Sequence, residues 1–175
     1  MKEKLSALAL CAALMATASS AHAVDLQWSS KNCVNIDGNY YLCKPDDKWD
    51  TQKTEETLRP VKFVYHKSKS NPILWVIYDE AASASSASDY ASKVRARYES
   101  RGIKVDAVLD ETIGGKSVYI VSGQDSSKGA RFSTALFWRP NLKRVLQIEY
   151  SASAEDFSTY QPQFMSTVQS ARDLR

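Results

Sequence analysis

In the first half of the chain, apolar residues alternate with polar ones or run unbroken over short stretches, divided by turn-forming residues. The segment 39–44 reads as a strand that Pro45-Asp46-Asp47-Lys48-Trp49 closes with loop chemistry. Residues 58–66 carry the alternating run Val61-Lys62-Phe63-Val64-Tyr65 and predict another strand. Ile73-Leu74-Trp75-Val76-Ile77-Tyr78 is apolar throughout, as in a strand covered on both faces near a sheet centre, so Trp75 is expected in the core. Lys67-Ser68-Lys69-Ser70-Asn71-Pro72 between the two predicts a hairpin.

The period then changes. After an Ala/Ser-rich loop over 81–88, Ser86 or Ser88 can cap a helix running to Ser100, with Asp89 near its positive end and Tyr90, Val94 and Tyr98 on one stripe. Gly102 stops it. Lys93, Arg95, Arg97 and Arg101 fall mainly away from that stripe, on a face that is either solvated or a binding patch. From Ile103 the period is two, and strands are expected over 103–110, 117–122, 130–138 and 144–151, with Trp138 in the core. Their turns are short, around Gly114-Gly115, 124–129 and Pro140-Asn141, and short turns without helices require antiparallel pairing, hence a meander. Residues 154–171 close the chain: Pro162 suits a first helical turn, so a turn near Phe157 and a final helix from about Pro162 are expected, striped by Phe164, Met165 and Val168.

Composition narrows the class. The chain has 175 residues, 43% of them hydrophobic and 10% aromatic, with only 6 Gly and 5 Pro, which excludes collagen-like and disordered chains. Lys and Arg number 23 against 20 Asp and Glu, and +3 over this length is no electrostatic footprint for nucleic acid.

The first residues change that arithmetic. A charged start at Lys2-Glu3-Lys4, an apolar run over 5–15 and the small-x-small site Ala21-His22-Ala23 predict a signal peptide over 1–23. Bulky Leu10 before Cys11 argues against lipid attachment there, and no later run has the roughly 18 apolar residues of a transmembrane helix. The expected mature protein is periplasmic or secreted after cleavage near Ala23. Removing 23 residues from 175 leaves 152, read as a single domain over 24–175.

Loss of Cys11 leaves Cys33 and Cys43 as a pair in an oxidising compartment. Asp37-Gly38-Asn39 between them is turn chemistry, and a hairpin centred there sets the two cysteines opposite each other, which predicts a disulfide; the alternative is two buried thiols. Loss of His22 leaves His66 as the one histidine, read as a strand-end surface residue, so histidine-dependent catalysis has a single residue to run through.

The run from Tyr40 to Trp49 resembles the opening of the PsbP-like fold: a strand, a Pro, a short acidic turn and a Trp. The order that follows agrees, with two strands, a helix ending at a Gly, the Gly-Gly-Lys step at Gly114 to Lys116, meander strands and a terminal helix carrying Phe157, Phe164, Val168 and Ser170. The resemblance covers about 40–171 and implies an α+β fold: one antiparallel sheet packed by helices, an α/β/α sandwich, here with a disulfide-closed N-terminal hairpin. Members include an extrinsic photosystem II subunit, a Ran-binding import factor and bacterial envelope proteins. The resemblance therefore implies docking on something larger and no shared reaction. The Cys33 arm departs from the family pattern.

Candidate sites are few. Asp46, Asp47 and Asp50 stand close enough in sequence to converge on a hard cation, although the spacing matches no EF-hand and solvated turn carboxylates explain them equally. Asp110 and Glu111 are adjacent on a strand and point to opposite faces, which rules out a dyad. Gly114-Gly115-Lys116-Ser117 lies between strands and reads as a hairpin turn, not a phosphate loop. Trp28 and Trp49, in polar surroundings, either seal the sheet edge or stand exposed; with Lys93, Arg97 and Arg101 they form the candidate interaction surface. No catalytic residue and no cofactor are assigned. The expected function is a non-enzymatic binding or accessory module docking on an envelope macromolecule, with a small-ligand or divalent-metal binder and an unrecognised enzyme as alternatives.

Overall fold

A computed structural model describes residues 26–54, 61–65, 72–80, 84–142 and 144–173. The expected signal peptide, His66 and the hairpin loop after it lie outside the described residues. Among the described residues, ten strands in two antiparallel sheets, with a two-residue eleventh, pack with two α-helices, an α+β fold.

The smaller sheet has the order β1-β2-β3-β11, from Leu26–Trp28, Cys33–Ile36, Tyr40–Cys43 and Arg172–Asp173. The hairpin β2–β3 forms as the sequence predicts. Asn39 N–H closes the turn onto Ile36 O at 3.0 Å, Cys33 stands opposite Cys43, and a disulfide bridges them. The hairpin is thus part of a second sheet, which the sequence reading had not separated from the first. Ser170 joins it to the far end of the chain, its hydroxyl accepting from Cys43 N–H at 2.8 Å and donating to Thr167 O at 2.7 Å.

The larger sheet has the order β4-β5-β6-β10-β9-β8-β7. Its members are Asp50–Lys53, Val61–Val64 and Ile73–Glu80 for β4 to β6, then Lys104–Ile113, Lys116–Asp125, Ala130–Arg139 and Arg144–Ser153 for β7 to β10. The meander forms as expected, and its last strand then inserts beside β6, with Ile77 opposite Gln147. A chain that reads as two successive blocks of strands therefore closes into one sheet. β4 was not anticipated: polar Asp-Thr-Gln-Lys carries no apolar alternation, and an edge strand needs none.

Alternation on β10 sorts the two cores. Leu146, Ile148, Tyr150 and Ala152 face one way, into the main core with Trp49, Phe63, Phe164 and the small sheet. Val145 faces the other way, into a second core under helix α1, Ala87–Glu99, with Tyr90, Val94, Phe132 and Leu136. Ser86 caps α1, accepting from Asp89 N–H at 3.1 Å, while the Asp89 carboxylate accepts from Ser85 N–H at 2.8 Å. That backbone bond first, then Lys93 beside it, holds the Asp89 pKa below its usual range.

Helix α2 spans Phe157–Ser170 with Pro162 inside it, so the expected start near Pro162 is corrected by one and a half turns. Proline there forfeits its own hydrogen bond to Ser158 O and crowds that carbonyl with its ring. The preceding turn is held by other means: Phe157 is buried against the Tyr150 ring at 4.9 Å, Tyr150 Oη donates to Phe157 O at 2.9 Å, and Asp156 O accepts from Thr159 N–H at 3.0 Å. At the other end Lys116 Nζ donates to Ala171 O at 3.1 Å, a cation at the negative pole of the helix.

Candidate functional site

Helix α1 is too short to cover its face of the large sheet. The chain leaves it through Gly102, whose φ of +75° is the left-handed conformation glycine adopts without strain. Gly102 N–H donates to Glu99 O at 3.0 Å and Ile103 N–H to Tyr98 O at 3.1 Å, a reversal that sends Ile103 into β7 and leaves the far end of the sheet open.

The result is a cleft of about 380 Å³ lined by Trp75, Tyr98, Arg101, Phe132, Arg131 and Glu149, with Asp125, Lys128 and Ser151 at its margin. Trp75 and Glu149 are register partners on adjacent strands and so share this face. Phe132 lies across Gly123, its register partner: a Cβ on Gly123 would collide with Lys104 O and stand 2.8 Å from the Phe132 ring, so only glycine lets the ring settle there. The Tyr98 ring packs on Phe132 with centroids 4.3 Å apart.

The charges in the cleft are unequally occupied. Tyr98 Oη donates to Glu149 Oε2 at 2.6 Å and meets Thr134 Oγ1 at 2.9 Å. Asp125 accepts from Ser127 N–H at 3.1 Å and from the Ser127 hydroxyl, and faces Lys128 Nζ at 3.6 Å. The Ser127 hydroxyl above all, then Lys128, keeps Asp125 ionised below the usual carboxylate range. Arg131 lies 3.9 Å from Asp106 and stacks over Phe157 at 4.9 Å. Lys62 Nζ stands 5.1 Å from the centre of the Trp75 ring. Arg101 is exposed, and no described residue forms an ion pair or hydrogen bond with its guanidinium.

The structure disperses the residues that sequence reasoning had grouped. Trp49 is fully buried, its ring 5.6 Å from Tyr65 and 6.5 Å from Tyr160, while the buried Lys44 Nζ donates to Trp49 O at 2.8 Å. It seals the core and leaves the candidate interaction surface. Trp28 belongs to β1 in the small sheet. Trp75 and Trp138, expected in the core, are half-buried because α1 stops short of one and packs beside the other. Lys93 pairs with Asp89 at 3.1 Å and Arg95 with Glu99 at 2.8 Å along the exposed face of α1, where Arg97 also stands; Arg101 alone of that basic group enters the cleft.

Asp46, Asp47 and Asp50 turn to separate partners. Asp46 Oδ1 accepts from Lys48 N–H at 2.7 Å, Asp47 lies 3.6 Å from Lys31 with its pKa lowered by an Asn32 hydrogen bond and then by that cation, and Asp50 joins β4 opposite Val64. Among the described residues no three His, Cys, Asp or Glu side chains are grouped to hold a metal ion. Among them, too, no helix is long and apolar enough to cross a membrane.

Sequence reasoning missed the cleft because Trp75, Glu149 and Phe132 meet only once β10 has inserted between β6 and β9. A trace was present in Gln147 and Glu149, polar residues alternating with Leu146, Ile148 and Tyr150 in that strand.

No family profile and no curated relative matches the sequence. Solved structures do. The cyanobacterial PsbP of Synechocystis is similar over 86% of this chain and 92% of its own, at 13% identity and a TM-score of 0.59. A Pseudomonas aeruginosa protein of unknown function, suggested to be a regulator, is similar over 84% of this chain and 94% of its own, at 12% identity and a TM-score of 0.53. The described residues have a PsbP-like fold, elaborated by a disulfide-closed hairpin in the N-terminal sheet.

Proposed function

We propose that this chain is a non-enzymatic accessory module that docks on an envelope macromolecule, exported by the leader over 1–23 and working as one domain in the periplasm or outside the cell. The cleft beyond α1 carries the reading. It gathers Trp75, Tyr98 and Arg101, the residue types that dominate binding energy at interfaces, around a concave surface at the lower end of ligand-site volumes. The Cys33–Cys43 bond supports an oxidising compartment. The PsbP-like fold supports an accessory role by analogy alone.

The test compares the purified mature protein with its Arg101→Glu variant as bait against a cross-linked envelope extract. A partner retained by the first, lost by the second and rebound after separate purification supports the reading. Identical captures by both baits would overturn it. The concavity of the cleft favours a second reading, a carrier of small ligands at the same place; saturable binding of a small molecule with no macromolecular partner would establish it.

A further inference from the structure

We propose that the cleft captures a carboxylate set beside an aromatic ring on a partner polypeptide, with Arg101 as the anion's anchor and Trp75 as the wall for the ring. This rests on the reading of the cleft as the docking site. Arg101 and Lys128 stand with Asp125 and Glu149 around it, while the guanidinium of Arg131 turns to the Phe157 ring on the other face of the sheet, and the balance is decided by which charges are already engaged. Glu149 is held by Tyr98 Oη at 2.6 Å, and Asp125 by the Ser127 backbone and hydroxyl and by Lys128. Asp125 therefore has both donors and a counter-charge within the protein, and one oxygen of Glu149 has its donor, so an incoming cation meets no carboxylate free of donors.

The cations differ. Lys128 faces Asp125 at 3.6 Å, whereas Arg101 has no ion-pair or hydrogen-bond partner among the described residues. A guanidinium presents a planar fork of donors that matches a carboxylate with two parallel bonds. The Gly102 reversal holds the Arg101 backbone at the cleft, where its N–H donates to Tyr98 O at 3.0 Å.

The ring follows from the floor. Phe132 is already covered by the Tyr98 ring, whereas half-buried Trp75 lines the cleft beside that cation, where an apolar group on the ligand would cover it further. An acidic side chain next to an aromatic one in an extended segment satisfies both at once. About 380 Å³ holds two such side chains and little more.

The experiment titrates isotope-labelled mature protein with acetyl-Gly-Asp-Phe-Gly-amide, following the Trp75 indole N–H and the Arg101 amide by NMR. Acetyl-Gly-Asn-Phe-Gly-amide, which keeps shape and loses charge, is the first control, and free N-acetylphenylalanine is the second. Saturable shifts with the Asp peptide are expected, at least about tenfold weaker with the Asn peptide, since a charge-assisted bond is worth that much or more. Arg101→Glu should abolish the shifts, and Arg97→Glu, on the exposed face of α1, should leave them. Both variants change exposed residues, and their undisturbed spectra report that they fold.

Equal affinity for the Asp and Asn peptides, absence of saturable shifts at millimolar peptide, or retention in Arg101→Glu would overturn the proposal. Binding of N-acetylphenylalanine without binding of the Asp peptide would overturn the polypeptide source. If the peptides fail while an extract partner is still lost by Arg101→Glu, the docking reading survives and the carboxylate chemistry falls.

Discussion

Removing the Cys33–Cys43 bond by the double substitution Cys33→Ser, Cys43→Ser should destabilise the protein without unmaking the hairpin. The two cysteines are 10 positions apart, and a closed loop of that length restricts the unfolded chain by about 2.7 kcal/mol in the chain-entropy account. The folded side has other supports. Val34, Asn35 and Ile36 keep their ladder partners Leu42, Tyr41 and Tyr40, and Ser170 still bonds Cys43 N–H through a backbone the substitution does not touch. The loss therefore belongs to the unfolded state. For a domain near 150 residues it corresponds to a melting temperature lower by about 5–10 °C. The assay is thermal unfolding followed by circular dichroism under non-reducing conditions, with free-thiol titration of the wild type to establish that the bond is closed. Melting within about 2 °C of wild type would refute the entropic reasoning. So would a variant that fails to fold, because the hairpin would then depend on the bond in the native state.

Three further outcomes are expected. Gly123→Ala forces a Cβ against Lys104 O and the Phe132 ring, and its backbone contact cannot yield by a rotamer change; a melting temperature equal to wild type would count against the packing described beneath the cleft. Phe164→Ala empties a fully buried site against Tyr150 and should cost about 3–5 kcal/mol, read from the urea midpoint, with a loss below about 1 kcal/mol as the contrary result. Burial first, then the neighbouring Asp156 and Tyr160, pushes the Tyr150 hydroxyl well above its ordinary pKa. The unfolded chain thus ionises this group near pH 10 while the folded one keeps its proton, so stability is intact below that pH and falls by up to about 1.4 kcal/mol per unit above it. Tyr150→Phe should flatten that alkaline fall, at the expense of about 1 kcal/mol at neutral pH for the lost bond to Phe157 O; parallel pH profiles would contradict the assignment.

What could be read from the sequence was what neighbouring residues decide. The Asp37-Gly38-Asn39 turn, the Ser86 cap, the Gly102 stop and the meander register all rest on interactions a few positions long, and each stands in the structure. Long-range pairing was not legible. Trp49 looked like a loop tryptophan because its neighbours are Lys48 and Asp50, yet Tyr65 and Tyr160, far along the chain, enclose it. Pro162 looked like a helix start because proline prefers that place, and burial of Phe157 outweighed the one hydrogen bond it removes. Trp75 erred the other way: a strand apolar on both faces reads as wholly covered, and only the length of α1 decides that one end is not.

The insertion of β10 between β6 and β9 also bears on when the protein can fold. β6 pairs on one side with β5, a local partner, and on the other with a strand that the chain reaches only after α1 and the whole meander. Until residues near Gln147 are available, the first strands form a narrow fragment with an open apolar edge, and loop closure across the intervening chain must precede the pairing that rewards it. The small sheet has a long-range pairing of its own, Arg172 and Asp173 of β11 lying opposite Tyr41 and Tyr40. A sheet wired in this way joins its two halves through the pairing of β6 with β10, which is also the pairing that closes a long stretch of intervening chain.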